Sequence, residues 1–263
     1  MLLQFSKYHG TGNDFILIDN RKNQWQPDLH EIAMLCDRHT GIGADGLMLL
    51  SADKEYPFRM VYYNSDGNES TMCGNGGRCI AVFARFLGLA GDFVRFIAID
   101  GEHFAEISGE DTNGLIVRLK MQDATIGPRF VDGLLINTGS PHFVRFVPNV
   151  DQTDVFTEGK ALRRDARFLP GGANINFAEI RSDGLYVRTY ERGVERETLS
   201  CGTGVTATAL ATAILSDDNP GFYTIKTRGG NLKVSYKLSG ESFSDIWLEG
   251  SVTFVFDGQI RVQ

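Results

Sequence analysis

The chain carries one short pattern twice: a cysteine, a glycine-rich turn and an apolar helical segment. Cys73-Gly74-Asn75-Gly76 precedes the first segment and Cys201-Gly202-Thr203-Gly204 precedes the second, at an offset of 128 residues. A second pair of segments has nearly the same spacing. Thr11 matches Thr138 at an offset of 127 residues, and Phe15 matches Phe143 at 128. Two separate features at matching offsets predict a duplicated fold.

The duplication predicts two domains, because 263 residues exceed the usual size of one domain. We place the N-terminal domain at 1–122 and the C-terminal domain at 123–251. Residues 79–87 are apolar nearly all round, which predicts a helix buried on all sides. Residues 205–215 predict a second such helix. Strand patterns around both helices indicate an α/β (α+β) protein, and they lie at residues 15–18, 47–50, 59–63, 185–192, 223–225, 232–237, 245–248 and 252–256.

Composition and charge exclude several classes of protein. A net charge of −7 and a pI near 5.3 argue against a general nucleic-acid binder, whose surface would be basic. The first residues lack a basic region followed by a long apolar run, so we expect no secretory signal. No apolar stretch of about 18 residues predicts a membrane span. The four cysteines then indicate cytosolic thiols rather than a disulfide scaffold, and we expect a soluble, cytoplasmic protein.

Cys73 and Cys201 each stand where a helix begins. The free N–H groups of a first helical turn point towards such a residue, and the positive end of the helix dipole lowers the pKa of a thiol. The same N–H groups can bind a carboxylate. One thiolate could remove the α-proton of an amino acid from one face while a thiol returns a proton to the other face. The pair therefore predicts a two-base racemase or epimerase.

Other cysteines and glycine patterns receive structural interpretations. Cys36 continues the apolar face of a helix over residues 29–39, and Cys79 lies inside the buried helix. The sequence contains no Cys-x-x-Cys pair and no paired Cys/His spacing, so we predict no zinc site. Residues 41–46 fit G-x-G-x-x-G but lie between a helix and a strand, the reverse of the dinucleotide-binding order. Residues 202–207 fit G-x-G-x-x-A and open a helix. However, a long loop, 193–200, separates them from the preceding strand, which argues against a nucleotide-binding motif. We predict neither a metal nor another cofactor.

The residues around the cysteines resemble a known family. Residues 64–79, from Asn64-Ser65-Asp66-Gly67 to Cys79, resemble the first catalytic signature of diaminopimelate epimerases. Tyr190-Glu191-Arg192-Gly193, leading to Cys201, resembles the second. Residues 9–15, the segment Gly139-Ser140-Pro141-His142 and the segment Asn174-Ile175-Asn176-Phe177 resemble further signatures of the family. The resemblance thus runs from residue 9 to residue 204.

The resemblance implies two pseudo-symmetric domains, each a β-barrel-like sheet around a central buried helix, with the active site in the cleft between them. It also implies that a C-terminal strand, residues 252–263, returns to complete the first domain. It implies an isomerase that interconverts LL- and meso-diaminopimelate in lysine and peptidoglycan precursor biosynthesis. It further implies a homodimer that works without pyridoxal phosphate or metal. By the same resemblance Cys73 and Cys201 are catalytic and His142 supports the site. The substrate-binding residues would be Asn13, Asn64, Gly74, Asn75, Asn174, Glu191, Arg192, Gly202 and Thr203.

Each implied role has an alternative. Asn13 and Asn64 could only shape turns, Glu191 and Arg192 could form an exposed ion pair of little consequence, and His142 could be a packed turn residue. The chain could also be a proline or hydroxyproline racemase, although those resemble Cys-Gly-His-Gly where this chain has Asn75. A non-catalytic amino-acid binding protein and a Cys73–Cys201 redox pair are further alternatives.

Three departures from the family pattern bear on substrate preference. Ser140 stands where many members have an asparagine that contacts substrate. Gly46 stands where some members have a glutamine that does so. The segment 193–200 is one residue longer than the commonest form.

Overall fold

The structure is a computed structural model that describes residues 1–216 and 219–262. The chain divides into two compact units, Met1–Leu119 with Ser251–Gln263 and Lys120–Gly250. In the first half of the chain the strands are β1 (Leu2–Gly10), β2 (Asn13–Asp19), β3 (Gly46–Ser51), β4 (Arg59–Asn64), β5 (Glu69–Ser70), β6 (Phe93–Ala98), β7 (Gly101–Asp111) and β8 (Gly114–Lys120). In the second half they are β9 (Ala124–Phe130), β10 (Gly133–Asn137), β11 (Pro141–Phe146), β12 (Asn174–Arg181), β13 (Gly184–Glu191), β14 (Arg196–Thr198), β15 (Phe222–Thr227), β16 (Gly230–Ser239) and β17 (Ser242–Arg261).

The helices of the described residues are α1 (Leu29–Cys36), α2 (Gly74–Phe86), α3 (Val155–Arg163) and α4 (Gly202–Leu215), with a 3-10 turn at Ala166–Phe168. Asp28 and Glu31 form a capping box at the start of α1. That helix ends at Cys36, earlier than its apolar spacing predicts. Asp37 leaves the helical conformation and its carboxylate accepts hydrogen bonds from the backbone of His39 and Thr40, which starts a turn instead.

In the first unit eight strands close around α2. The hydrogen-bonded order is β1, β2, β3, β4, β6, β7, β8, β17 and back to β1. Every residue of α2 from Gly74 to Ala84 is buried. A helix without an exposed face requires neighbours on all sides, and a closed sheet supplies them.

The second unit repeats this arrangement around α4. Its order is β10, β11, β12, β13, β15, β16, β17, β9 and back to β10. The hydroxyls of Thr206, Thr208 and Thr212 each donate to the carbonyl four residues earlier, over 2.9 Å. The helix therefore satisfies its own polar groups and can be buried among apolar strands.

Corresponding elements of the two units pair in the same way. Strands β2 and β3 are parallel and joined through α1, and β11 and β12 are parallel and joined through α3. The predicted fold class of two pseudo-symmetric, barrel-like domains around central helices is confirmed. The strand patterns at 245–248 and 252–256 belong to one strand, β17, whose first half pairs in the second unit and whose second half pairs in the first. Within the described residues no helix has both the length and the hydrophobicity to cross a membrane.

Candidate active site

Cys73 is the N-cap residue of α2. Its backbone is extended (φ −93°, ψ 131°), and the helix begins at the next residue, Gly74. The glycines predicted to form a turn therefore lie in the first turn of the helix, so the N–H groups of that turn are directed beyond its N-terminus. The Cys73 side chain is half-buried, and its Sγ lies 3.6 Å from Asn13 Oδ1.

Asn13 reaches Cys73 through a tight hairpin. Thr11 and Gly12 join β1 to β2 with positive φ angles of 50° and 80°, the conformation that suits a two-residue loop between twisted strands. Asn13 Nδ2 donates to Asp45 Oδ2 over 2.9 Å, and Asn75 Nδ2 donates to Asn13 Oδ1 over 3.2 Å. The structure thus joins Cys73, Asn13 and Asn75 in one hydrogen-bonded group.

A fully buried arginine lies behind this group. Arg78 donates to Gly74 O over 3.2 Å and to Asn75 Oδ1 over 3.0 Å, while its Nε has no hydrogen-bond partner among the described residues. Burial lowers the pKa of its guanidinium, and the neighbouring thiols of Cys79 and Cys73 act in the opposite direction. Sequence reasoning missed Arg78, although a charged residue beside the predicted buried helix was the available signal.

Asn64 ends β4 opposite Gly46 of β3. Its backbone N–H donates to Asn68 O over 3.0 Å, and the N–H of Gly67 donates to Asn64 O over 2.9 Å, which closes the turn into β5. A Cβ at Gly46 would lie 2.6 Å from the Tyr62 ring and 2.7 Å from Tyr63 O. A side chain at this position would therefore require strand β4 to shift.

Cys201 stands at the N-cap of α4, as Cys73 does at that of α2. Its backbone is extended (φ −121°, ψ 111°), and its side chain is buried. Cys201 Sγ lies 3.5 Å from Thr203 Oγ1 in the first turn of the helix. The segment 193–200, expected to be a long loop, contains β14, which folds back on β13. A short hairpin therefore precedes each cysteine, since β4 and β5 pair in the same way before Cys73.

His142 is completely buried beside Thr203. Its Nε2 lies 2.8 Å from Thr203 Oγ1, and its Nδ1 lies 3.1 Å from Asn176 Nδ2. Burial lowers the pKa of His142 to about 3, and the charge of Arg192 acts in the same direction. The imidazole is therefore neutral near pH 7, and it does not act on the Cys201 thiol as a cation.

The orientation of Asn176 decides which nitrogen of His142 carries the proton. Asn176 Nδ2 donates to Phe143 O over 3.2 Å, and its Oδ1 accepts from the Thr189 hydroxyl over 2.9 Å. A carbonyl only accepts, so the amide nitrogen must face Phe143 and His142. Nδ1 of His142 is then the acceptor and Nε2 carries the proton, which it donates to Thr203. Asn174 Nδ2, 3.4 Å from Nε2, donates its own protons to Ser140 Oγ and Pro141 O at shorter distances.

The remaining predicted residues lie at the ends of strands in the second unit. Asn174 donates to Ser140 Oγ over 2.9 Å and accepts from the backbone N–H of Arg192 over 2.8 Å. Ser140 thus retains a contact with the site despite its departure from the family pattern. Glu191 accepts a short hydrogen bond from the Thr198 hydroxyl. The Arg192 side chain is exposed, and one of its guanidinium nitrogens lies 3.4 Å from Gly171 O.

The other two cysteines are structural. Burial raises the pKa of Cys36 to about 12 and raises that of Cys79 further, so both remain thiols. All four cysteines are free of disulfides. In the part of the chain that the structure describes, no group of three or more His, Cys, Asp and Glu side chains is arranged to hold a metal ion.

The sequence profile described as diaminopimelate epimerase matches residues 5–126 and 134–255. The diaminopimelate epimerase of Flavobacterium psychrophilum is 46% identical over 260 residues, which are 98% of this chain and 100% of that protein. Among solved structures, a phenazine biosynthesis protein of the PhzF family from Bacillus anthracis has a TM-score of 0.77 at 13% identity, with 100% of both chains covered. A probable proline racemase from Agrobacterium radiobacter K84, solved with bound carbonate, has a TM-score of 0.76 at 15% identity, covering 99% of this chain and 93% of that chain.

The two solved structures share the fold at low identity, whereas the sequence relationship spans both halves of the chain. The match includes both cysteine segments that begin the central helices. This chain therefore belongs to the diaminopimelate epimerase family.

Proposed function

We propose that this protein interconverts LL- and meso-diaminopimelate without a cofactor, by proton transfer between the α-carbon and two thiols. The observation that carries the proposal is the matched position of Cys73 and Cys201, each at the N-cap of a buried helix in equivalent half-sites. Family membership and the diaminopimelate epimerase named in Flavobacterium psychrophilum support the choice of substrate. The reaction would belong to lysine and peptidoglycan precursor biosynthesis.

In the proposed reaction one cysteine reacts as thiolate and the other as thiol. The thiolate takes the α-proton, and the electron pair of the broken C–H bond moves into the adjacent carboxylate. The thiol then gives its proton to the opposite face of the α-carbon as the electron pair returns. The N–H groups at Gly74, Asn75, Gly202 and Thr203 would stabilise the charge on the carboxylate, since free helix N-termini bind anions.

Recognition of the distal amino-acid group would fall to strand ends in the two units. The exposed guanidinium of Arg192 suits a bidentate contact with a carboxylate. The carboxylate of Glu191 suits an ammonium group. Asn13, Asn64 and Asn174 would add amide contacts, and His142 would position Thr203.

We further propose a cytoplasmic homodimer. The support for a second copy is a run of exposed apolar side chains, Phe254, Val255 and Phe256, on β17. Contiguous exposed hydrophobic residues on a folded protein commonly mark an interface. Analytical ultracentrifugation of the wild type and of Phe254→Ser tests this proposal: a dimer that dissociates in the variant supports it, and a monomeric wild type contradicts it.

The decisive experiment is proton NMR of the reduced protein with LL-diaminopimelate in deuterated buffer and no added cofactor. Deuterium at the α-position together with the meso isomer is the expected result. Absence of exchange from folded, reduced protein would rule out this substrate. Parallel samples with proline and hydroxyproline test the alternative suggested by the shared fold of the racemase: exchange with these amino acids alone would retain the two thiols and change the substrate.

A further inference from the structure

In the first unit a series of hydrogen bonds connects the guanidinium of Arg78 to the carboxylate of Asp45. Arg78 Nη2 donates to Asn75 Oδ1 over 3.0 Å, Asn75 Nδ2 to Asn13 Oδ1 over 3.2 Å, and Asn13 Nδ2 to Asp45 Oδ2 over 2.9 Å. A guanidinium only donates and a carboxylate only accepts. The charged end residues therefore fix both amides, because reversing either one would place two donors or two acceptors together.

Cys73 contacts an acceptor atom in this series of hydrogen bonds. Its Sγ lies 3.6 Å from Asn13 Oδ1, the same oxygen that accepts from Asn75. A thiol can donate to this oxygen, whereas a thiolate would place its negative charge against an oxygen that carries a partial negative charge. The contact with Asn13 Oδ1 therefore favours the protonated form of Cys73.

Cys201, by contrast, lies beside a group that can donate a hydrogen bond to its sulfur. Because Asn176 directs the His142 proton to Nε2, that nitrogen donates to Thr203 Oγ1 over 2.8 Å. The hydroxyl proton of Thr203 can then be donated to Cys201 Sγ, 3.5 Å away. A donor aimed at the sulfur stabilises the charged form.

We propose that the resting protein holds Cys73 as the thiol and Cys201 as the thiolate, with Asp45 and Asn176 as the positioning residues that set this order. The catalytic consequence rests on the proposed function. In the first turnover Cys201 takes the α-proton and Cys73 gives its proton to the opposite face. That turnover leaves Cys73 as the thiolate and Cys201 as the thiol, and exchange of protons with water restores the resting pair.

The surrounding charges act in both directions. Arg38 pairs with Asp14 and Asp45, and Lys7 also pairs with Asp14, so these carboxylates are largely neutralised. The charge of Arg78 alone would favour a Cys73 thiolate, which is the assignment that competes with the proposal. The titratable groups of α2 and of the neighbouring strands β1 and β2, together with Asp45 before β3, are Lys7, Tyr8, His9, Asp14, Asp19, Asp45, Arg78, Cys79 and Arg85. Those of β4 are Arg59, Tyr62 and Tyr63, while Asp100 lies before β7 and His103 on it. In the second unit, the strands that pack against α4 carry His142, Glu191, Tyr223 and Tyr236, and Arg192 follows β13.

Residue-resolved alkylation tests the order. The reduced full-length protein is treated with iodoacetamide across a pH series, and mass spectrometry of its peptides gives a rate for each cysteine. The pH of half-maximal rate is compared, because the pKa of each thiol sets this midpoint whereas access of the reagent to the sulfur sets the plateau rate. The midpoint of Cys201 is expected about one pH unit or more below that of Cys73. Equal midpoints, or a lower midpoint at Cys73, overturn the proposal.

Variants in each unit test which residues set the midpoint of its cysteine. Thr203→Val removes the donor and is expected to raise the Cys201 midpoint by about one pH unit, while Thr203→Ser retains the wild-type value. Asn176→Leu is expected to raise the same midpoint with Thr203 intact, because His142 is no longer held as the Nε2 tautomer. Unchanged midpoints in folded Thr203→Val and Asn176→Leu proteins would refute the role of this chain of donors.

In the first unit Asp45→Asn is expected to lower the Cys73 midpoint, since the variant loses a negative charge and the acceptor that orients Asn13. Asp257→Asn is the matched control, because it removes the same charge from an exposed carboxylate bonded to Ser6. An unchanged Cys73 midpoint in Asp45→Asn contradicts the assignment. These measurements need no substrate, so a failure of the thiol order and a failure of the epimerase assay are distinguishable.

Discussion

Cys73 and Cys201, at the starts of the two central helices, have different groups beside their sulfur atoms. Cys73 lies beside an amide oxygen, and Cys201 lies beside a hydroxyl that is in turn bonded to a neutral histidine. The two helix starts therefore share a backbone arrangement but have different hydrogen-bonding groups. A reaction that needs one acid and one base is suited to such a difference.

Replacement of either cysteine tests the two-base proposal. Cys73→Ala and Cys201→Ala should each lower the epimerisation rate by at least about 10²-fold, the usual contribution of a general acid or base. NMR of the α-proton in deuterated buffer measures the rate, and circular dichroism checks the fold. Cys36→Ala is the control, since Cys36 belongs to an apolar cluster and should be dispensable for activity. Near wild-type turnover in either catalytic variant would remove that residue from the mechanism.

The buried His142 makes stability depend on pH. Its pKa falls from the ordinary 6.5 to about 3 in the folded protein, so between these values the unfolded chain binds a proton that the folded chain does not. The free energy of unfolding should therefore decrease as the pH is lowered through this window, by up to about 1.4 kcal/mol per pH unit from this residue.

Urea unfolding of His142→Gln across the same pH range measures this contribution. The variant should show a shallower dependence of the free energy of unfolding on pH than the wild type. His39→Gln, at an exposed position, should retain the wild-type slope. Identical slopes in His142→Gln and the wild type would show that His142 does not remain neutral in the folded protein.

The two central helices place different neighbours against equivalent glycines. A Cβ at Gly76 of α2 would meet Met48 Cε at 2.3 Å, the flexible end of a long side chain. A Cβ at Gly204 of α4 would meet Asn176 Oδ1 at 2.4 Å, an oxygen already bonded to Thr189. The first contact can be relieved by a rotamer change, whereas the second displaces a buried hydrogen-bonded group.

This difference predicts unequal effects of the same substitution. Gly204→Ala should lower the free energy of unfolding by about 1–3 kcal/mol, the usual effect of overpacking, and should also reduce epimerisation because Asn176 holds His142. Gly76→Ala should be milder by both measures. Urea titration and the NMR assay provide the comparison. Equal losses in the two variants would mean that Met48 yields no more readily than Asn176.

Across the whole molecule, strand β17 completes both closed sheets. Residues up to Gly250 pair with β16 and β9 in the second unit, and later residues pair with β1 and β8 in the first. The first unit therefore depends on the last residues of the chain, which must be synthesised before its sheet can close. The second unit contains all its strands before residue 251.

A chain ending at Gly250 should lose the first unit selectively. Hydrogen exchange measured by mass spectrometry should show unprotected amides in β1 and β8, while β10 to β13 keep their protection. Gly114→Val should weaken the same closure, because a Cβ there would lie 2.1 Å from Val252 O. Gly109→Ala is the control, since nothing lies within 4 Å of its Cβ. Uniform loss of protection in both units would show that the second unit cannot remain folded alone.

Local patterns were sufficient for the two central helices and for the strand that leads to each cysteine hairpin. The apolar runs predicted both central helices, and β2, β3, β4 and β13 were recognised from short apolar or alternating segments. The residues from β6 to β12 were not assigned, and neither was α3. Strands there are stabilised largely by cross-strand partners far along the chain, and their own sequence is a weaker signal than a helical repeat. The sequence likewise predicts a loop where β14 forms a hairpin.

The sequence by itself determined the duplicated plan and the identity of the two cysteines, because both follow from residue spacing along the chain. The tertiary structure decided what surrounds each sulfur. Arg78, Asp45 and Asn176 become meaningful only when strands distant in sequence bring them beside Asn75, Asn13 and His142. Hydrogen-bond polarity depends on which donors face which acceptors, and this pairing is set by sheet register and helix burial. No pattern within a single segment specifies it.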